Sequence, residues 1–332
     1  MFDTRANILL CGCGAVGTMA AVALERSGCA AVTAVLRSNF SVVEQKGFTI
    51  DSVDHGRLTG WHPSYIARSV ENAMKHGPFQ FIVIALKALP DIYSIPELIA
   101  PAVTPFESTI VLIQNGIGIE QPFINAFPRS TILSGVSMIG AHQLSSGVIR
   151  HDRSDILHLG PIYNASISRE KEDELAALFS SLYTSGGASC LLTENITWMR
   201  WKKLVWNASF NSVCAMTGLD SGAIIDAGGV ETIIRPVMDK INSIAKASGH
   251  TLPDGIQQLM IDSMPREMHF RPSMLVDVER GNPMEIEVIV GNPLRIAQEL
   301  GCETPILRMI YEHLKLVQWR IRRAKTGSRL QK

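Results

Sequence analysis

Residues 7–28 read NILLCGCGAVGTMAAVALERSG. Residues 7–10 have the composition of a short buried strand, and residues 18–26 form a helical run that ends at Gly28. The glycines between them follow the pattern G-x-G-x-x-G, which indicates a dinucleotide site when a strand precedes it and a helix follows it. We therefore predict a Rossmann-type domain whose cofactor is bound by Gly12, Cys13, Gly14, Ala15, Val16 and Gly17. The alternative is a glycine-rich turn that binds nothing.

Each glycine of this pattern has its own expected role. Gly12 permits the tight turn, Gly14 lets the backbone approach a pyrophosphate, and Gly17 lets the helix pack closely on the strand. The N-terminus of the following helix adds amide donors and the positive end of its dipole.

The end of the second strand bears on the choice of cofactor. In NAD-binding proteins an Asp or Glu near this point binds the ribose hydroxyls. Here residues 31–36 are followed by Arg37, Ser38 and Asn39, and the next acid, Glu44, comes too late. A cation with two polar neighbours suits a 2′-phosphate, so NADP (NADPH) is the predicted cofactor. An ordinary surface arginine is the alternative.

Two later strands also end in polar residues. Residues 81–86 and 109–113 are continuous apolar runs, typical of central parallel strands. Lys87 follows the first, and Asn115 follows the second after one glutamine. Ligands of open α/β sheets bind beyond the carboxyl ends of the strands, so we expect both residues to contact the cofactor or the substrate. The pair Asn115-Gly116 is also an ordinary turn signal.

After Thr193 the pattern changes to helices alone. We predict helices at residues 196–217, 230–248, 255–264, 273–280, 284–300 and 305–323, the fifth kinked or broken by Gly291 and Pro293. The predicted fold is an α/β N-terminal Rossmann-type dinucleotide-binding domain, residues 1–193, followed by an all-α C-terminal domain, residues 194–332. The second domain is expected to hold the substrate and the catalytic residues.

The first of these helices carries three polar residues at a helical spacing. Lys203, Asn207 and Asn211 stand four residues apart, which places them on one face of a helix. The positions around them are mostly apolar, and burying a lysine is costly unless a polar group meets it. A structural lysine beside two paired amides is the alternative reading of the same stretch.

Composition excludes several classes of protein. Lys+Arg and Asp+Glu are both 31, so no net charge attracts nucleic acid or an anionic membrane. The six cysteines are scattered without a C-x-x-C pattern, which argues against disulfides and a metal site and fits the reducing cytoplasm. Residues 6–24 lack charge over the length of a membrane span, but the glycines within them favour a strand, a turn and a helix. We find no signal peptide.

These features together resemble the ketopantoate reductase (2-dehydropantoate 2-reductase) family. The matching pieces occur in the family's order over nearly the whole chain: GCGAVG at 12–17, Arg37, LK at 86–87, QNGIG at 114–118, WKKLVWNASFN at 201–211 and SMLVDVERGNPMEIE at 273–287. The resemblance implies a Rossmann domain, a helical domain, and an active site in the cleft between them. It also implies NADPH-dependent reduction of a 2-keto acid.

The resemblance further implies roles for individual residues. Lys203 would be the catalytic lysine, Glu285 would hold both this lysine and the substrate hydroxyl, Asn207 and Asn211 would bind the substrate, Ser273 would bind its carboxylate, and Asn115 would lie at the cofactor–substrate junction. The chemistry agrees, because hydride transfer to a ketone builds negative charge on oxygen that a protonated lysine can stabilise and neutralise. Glu285 would favour the charged lysine, whereas burial would lower its pKa from about 10.4.

Two positions depart from the family pattern. Ser221 and Phe270 stand where substrate-side asparagines are usual. The reaction type survives this change, but the identity of the keto acid does not. Ketopantoate, reduced to pantoate in pantothenate biosynthesis, is the first choice, and a less polar 2-keto acid is the alternative within the family.

Two readings outside the family stay open. A β-hydroxyacid dehydrogenase would share the glycine pattern and a helical K-x-x-x-N, but usually carries glycines where this chain has Met199, Arg200 and Trp201. A silent NADP-binding sensor would not need Lys203 together with Glu285. Oligomeric state also stays open, with a homodimer possible.

Overall fold

The computed structural model describes residues 5–329, with side chains as far as residue 324. They form two compact units. The first contains the described residues up to Lys87, Ser94–Gln114 and Ile119–Ile196, and the second contains Ala88–Tyr93, Asn115–Gly118 and the described residues from Thr197 onward. The division at residues 193/194 remains our proposal for the domain boundary, and these two short segments pack with the helical unit although they follow strands of the sheet.

The first unit is built on two sheets. Residues 5–329 contain twelve strands: β1 (Ala6–Cys11), β2 (Ala30–Val35), β3 (Phe48–Ser52), β4 (Gly56–Trp61), β5 (Tyr65–Ala67), β6 (Phe81–Ile84), β7 (Thr109–Leu112), β8 (Ile132–Ser137), β9 (Gly140–Ser145), β10 (Val148–Arg153), β11 (Ile156–Pro161) and β12 (Ser189–Leu192). The larger sheet has the order β12-β11-β8-β7-β6-β1-β2-β5, and the smaller has the order β4-β3-β10-β9. In the larger sheet β11 runs antiparallel to β8, and the other neighbours are parallel.

The order of the larger sheet reverses at β1, which pairs with β2 on one side and β6 on the other. Cys11 is in register with Val35 and with Ile84, and Val35 is in register with Ala67, so these strands end together. This is the topological switch point at which doubly wound sheets bind ligands. The predicted Rossmann-type α/β domain is confirmed.

The helices of the first unit are Ala15–Arg26, Phe40–Lys46, Val70–Ala73, Ile95–Ile99, Gln121–Ala126 and Arg169–Ser185, with 3-10 turns at Met74–His76 and Ala100–Ala102. Ala15–Arg26 packs against Arg169–Ser185, β9 and β10, which buries Met19–Leu24 completely. This burial explains the uncharged run at 6–24. Among the described residues, no helix is both long and apolar enough to cross a membrane.

The second unit is helical, as predicted. Its α-helices are Ile196–Trp206, Ser212–Thr217, Ser221–Asp226, Arg235–Ala247, Ile256–Asp262, Ser273–Glu279, Asn292–Glu299 and Pro305–Arg329, with a 3-10 turn at Arg266–Met268. Three π-helical turns interrupt them, at Asn207–Asn211, Val230–Ile234 and Glu287–Gly291. The first joins two α-helices into one continuous run, residues 196–217, which we call the lysine helix.

The π-helical turns have local causes that the helical periodicity did not reveal. Pro236 and Pro293 each follow one of these turns. A proline inside a helix lacks an N–H and clashes with the carbonyl four residues earlier, and a wider turn relieves that clash. In the lysine helix the Ser209 hydroxyl donates to the Val205 carbonyl at 2.7 Å and competes with the backbone ladder.

Candidate active site

The three glycines of the turn after β1 differ in how much space surrounds them. Gly12 has φ +103°, and a Cβ there would lie 2.5 Å from the Leu86 nitrogen. A Cβ on Gly17 would lie 1.9 Å from the Gly12 carbonyl oxygen, whereas a Cβ on Gly14 would meet nothing within 4 Å. The space over Gly14 is thus open, and it borders the N-terminus of Ala15–Arg26. This arrangement fits the pyrophosphate of a dinucleotide.

Three polar residues follow β2, and they divide into two groups. Arg37 and Ser38 are exposed at the carboxyl end of the strand. Asn39 is 3% exposed, and its Nδ2 donates to the Cys13 carbonyl at 3.0 Å and to Gln143 Oε1 at 3.3 Å. Asn39 therefore supports the glycine turn, and its predicted part in receiving a 2′-phosphate is wrong because its amide is buried and bonded.

Arg68 is a candidate cofactor residue that the sequence did not reveal. Val35 is in register with Ala67, and the Leu36 N–H donates to the Ala67 carbonyl at 2.9 Å, so Arg68 is level with Leu36, the residue before Arg37. Its guanidinium lies 3.9 Å from the centre of the Phe40 ring. The signal was weak, because β5 has only three residues and no alternating pattern.

Lys203, Asn115 and Glu285 form a hydrogen-bonded cluster in the second unit. Lys203 Nζ donates to Asn115 Oδ1 at 2.9 Å, and Asn115 Nδ2 donates to Glu285 Oε2 at 3.3 Å. Glu285 is 5% exposed, and its Oε1 accepts the Ala88 N–H at 2.9 Å. Ala88 follows the half-buried Lys87 directly in the chain. Asn115 thus contacts both ionisable groups.

The surroundings make Lys203 an unusually acidic amine. Its pKa falls from 10.5 to about 8, chiefly because burial disfavours the charged form. The positive charge of Arg200 also lowers this pKa, and the carboxylate of Glu285 opposes both effects. An amine with this pKa is mostly protonated at neutral pH and gives up its proton far more readily than an exposed lysine.

The segment Asn115–Gly118 contacts three residues of the helical unit: Val288, Asn292 and Arg200. A Cβ on Gly116, whose φ is +96°, would lie 2.6 Å from Val288, so this position requires glycine. The Ile117 N–H donates to the Val288 carbonyl at 3.0 Å, and Asn292 Nδ2 donates to the Ile117 carbonyl at 2.6 Å. Arg200 Nη1 donates to the Gly116 carbonyl at 3.1 Å. Sequence reasoning predicted a ligand contact for Asn115 but missed Asn292 and Arg200 as supports of this segment.

The two asparagines of the lysine helix differ in their bonding. Asn211 Nδ2 donates to Ser273 Oγ at 3.2 Å, and Asn211 Oδ1 accepts the Met274 N–H at 2.8 Å. Asn207 is 6% exposed, and its side chain makes no hydrogen bond with any residue in the range 5–329.

The two positions that depart from the family pattern are bonded to each other. Ser221 Oγ accepts the Phe270 N–H at 3.1 Å, and the Ser221 N–H donates to the Phe270 carbonyl at 3.0 Å. The Phe270 ring meets the Trp206 ring edge-on, with centroids 5.7 Å apart, and Trp206 immediately precedes Asn207. Ser221 therefore fixes the backbone of Phe270, whose ring contacts Trp206 of the lysine helix.

Glu285 and Ser273 both lie at the beginning of helices. Ser273 is the exposed first residue of Ser273–Glu279, and Glu285 precedes the helical residues that begin at Ile286. We had expected the second helix to begin at Met284. Within residues 5–329, no group of three or more His, Cys, Asp or Glu side chains could hold a metal ion.

Two family models match the chain. Residues 8–164 match the model of ketopantoate reductase PanE/ApbA, and residues 195–318 match that of its C-terminal domain. The chain belongs to the ketopantoate reductase family. The resemblance found in the sequence is confirmed, and the chain is an oxidoreductase of the type that reduces 2-keto acids.

Individual relatives cover nearly the whole chain. An uncharacterized protein of Saccharomyces cerevisiae is 33% identical over 96% of this chain and 95% of its own length. The 2-dehydropantoate 2-reductase of Nostoc sp. is 27% identical over 94% of this chain and 95% of its own. The crystal structure of 2-dehydropantoate 2-reductase from Methylococcus capsulatus superimposes with a TM-score of 0.79 at 33% identity, covering 95% of this chain and 97% of that one.

Proposed function

We propose that this protein reduces a 2-keto acid to the 2-hydroxy acid with NADPH, and that ketopantoate is the first substrate to test. The observation that carries the proposal is the cluster of Lys203, Asn115 and Glu285, in which a buried amine of pKa about 8 is hydrogen-bonded to an amide that also contacts a carboxylate. A non-catalytic sensor has no need of such an amine.

The proposed chemistry assigns a step to each residue of the cluster. NADPH, when bound, supplies the hydride. Lys203 stabilises the negative charge that develops on the ketone oxygen and donates its proton to that oxygen. Asn115 orients the amine through its Oδ1, and Glu285 favours its protonated form. Asn207, buried and without a hydrogen bond to another described residue, is proposed to bind the substrate, with Asn211 and Ser273 beside it.

The preference for NADPH over NADH is supported by the ends of β2 and β5. Arg37 and Arg68 are exposed there, and none of residues 36–43 is acidic. The next acid, Glu44, forms an ion pair with Arg68 at 3.7 Å. Arginine suits a phosphate because its planar group donates two parallel hydrogen bonds. Gly12–Gly17 is the proposed pyrophosphate site, and Lys87 is a proposed cofactor contact. The six cysteines are all free, which supports the proposal of a reducing compartment such as the cytoplasm.

A second candidate substrate is a 2-keto acid with a less polar side chain. The Phe270 ring, which contacts Trp206 of the lysine helix, favours it, because an aromatic ring at this position offers no hydrogen bond to a substrate hydroxyl. A pocket that hydrogen-bonds a substrate hydroxyl strongly rejects an analogue that lacks this hydroxyl. An apolar pocket discriminates only weakly between substrates that differ by one methylene group.

The test is a steady-state assay of NADPH oxidation with ketopantoate and with 2-keto-3-methylbutanoate, which lacks the hydroxymethyl group. A higher kcat/KM for ketopantoate supports the first candidate, and equal or reversed values support the second. In the second case Phe270→Asn should improve ketopantoate relative to the methyl compound, while Phe106→Asn, at an exposed position of the other unit, should not change the ratio. Failure to reduce any 2-keto acid would refute the proposed reaction.

A further inference from the structure

Arg200 lies one helical turn before Lys203 on the lysine helix. It is 3% exposed, and its Nη1 donates to the carbonyl of Gly116 at 3.1 Å. Gly116 follows Asn115, the residue that accepts the hydrogen bond of Lys203. The guanidinium therefore holds the backbone next to the residue that orients the candidate proton donor.

The charge of Arg200 acts on the same amine. Residues three apart on a helix are neighbours, and like charges at this spacing destabilise each other. Arg200, on the same helix as Lys203, opposes its protonation, and the carboxylate of Glu285 favours it. An arginine stays charged at every pH that the protein meets, so its effect is constant.

We propose that Arg200 is a positioning residue of this site, which fixes Asn115 through the Gly116 carbonyl and places a permanent positive charge three residues before Lys203 on the same helix. Its significance for turnover rests on the proposed reductase function, whereas its effect on Lys203 is a property of the protein without substrate. A merely structural arginine would hold the Gly116 carbonyl and leave the titration of Lys203 unchanged.

Two substitutions separate the charge from the hydrogen bond. Arg200→Gln keeps an N–H donor for the Gly116 carbonyl and removes the charge. Arg200→Lys keeps the positive charge and loses the planar guanidinium with its fixed N–H donors. If the charge matters, glutamine should change the titration of Lys203 and lysine should largely preserve it.

The experiment measures the pKa of Lys203 directly, without any substrate. Acetic anhydride modifies only neutral amines, so the labelling rate of each lysine as a function of pH, read by peptide mass spectrometry, reports its pKa. Lys202, half-buried on the same helix, is the internal reference. In the wild type we expect a midpoint for Lys203 near pH 8, below the ordinary lysine value of 10.5.

In Arg200→Gln the Lys203 midpoint should rise by about one unit, which slows labelling at pH 7.5 roughly tenfold. Lys202 should not change, and Arg200→Lys should stay close to the wild type. An unshifted Lys203 midpoint in Arg200→Gln, or an equal shift in both variants, would overturn the proposal. So would a wild-type Lys203 with a midpoint at the ordinary lysine value of 10.5, and this result needs no variant to fold.

Kinetics then distinguish this proposal from the proposed function. If a 2-keto acid is reduced, the fall of kcat/KM at high pH should move upward in Arg200→Gln together with the labelling midpoint, and Arg200→Lys should restore the wild-type profile. If labelling shifts but no 2-keto acid is reduced, the effect of Arg200 on Lys203 stands and the reductase function is wrong.

Discussion

Replacing Glu285 with glutamine should lower the pKa of Lys203, because the carboxylate is the charge that favours the protonated amine. Asn115 bonds both groups, at 2.9 Å to the lysine and 3.3 Å to the carboxylate. At an effective dielectric constant of about 20, opposite unit charges roughly 4 to 8 Å apart attract by about 2 to 4 kcal/mol. Solvent screens part of this attraction, so we expect a fall of about one pKa unit.

This shift produces a defined change in the pH profile. The reduction needs the ammonium form, so kcat/KM should be constant at low pH and fall as pH rises through the pKa of Lys203, which is about 8 in the wild type. In Glu285→Gln the fall should begin about one unit lower, near pH 7. The ratio of wild type to variant should therefore grow about tenfold between pH 6 and pH 9.5, beyond any constant loss from contacts with the substrate.

A matched control lies two residues further along. Glu287 accepts the Tyr311 hydroxyl at 2.7 Å and bonds Arg295 at 3.0 Å, so Glu287→Gln should leave the high-pH limb unchanged. The reasoning is refuted if Glu285→Gln lowers kcat/KM by one factor at every pH, because the carboxylate would then serve only as a structural or substrate contact.

Three further predictions concern the amine, the glycine turn and the cofactor. Lys203→Ala should cut turnover about 10²–10⁴-fold with little change in NADPH affinity, whereas Lys202→Ala should not; equal losses would show that the wrong lysine was assigned. Gly17→Ala should lower Tm, since its Cβ would lie 1.9 Å from a carbonyl oxygen, while Gly14→Ala should keep Tm and weaken NADPH binding; thermal melts and titrations compare them. Arg37→Ala should weaken NADPH about 10- to 150-fold and NADH little in fluorescence titrations, and equal wild-type affinity for both cofactors would contradict the choice of NADP.

The fold class could be predicted because its signals are local. The glycine pattern needs only a strand before it and a helix after it, and the change to helical periodicity after Thr193 marks the second unit. The three π-helical turns could not be predicted from the sequence pattern. Ser209 and Pro293 alter the backbone ladder through bonds and clashes with particular carbonyls, and a repeat of apolar residues does not record these.

The site was harder to predict where its contacts join distant parts of the chain. Lys203 and its asparagines share one helix and were found by spacing and resemblance, and their roles stay predictions. Arg200 contacts the Gly116 carbonyl, 84 positions away in the sequence, so the spacing of residues along the helix could not predict this contact. Arg68 depends on the pairing of a three-residue strand. For Asn39, polarity suggested a ligand contact, but its burial makes it a support of the glycine turn.

The central claim is that this chain transfers hydride from NADPH to the carbonyl carbon of a 2-keto acid. Its most direct test uses NADPH carrying deuterium at both C4 positions, incubated with ketopantoate or 2-keto-3-methylbutanoate, with the product analysed by mass spectrometry. We expect a 2-hydroxy acid with one deuterium at C2, formed by the wild type and by Lys202→Ala but strongly reduced in Lys203→Ala. A hydroxy acid without deuterium, or no product from any 2-keto acid in the presence of bound NADPH, would contradict it.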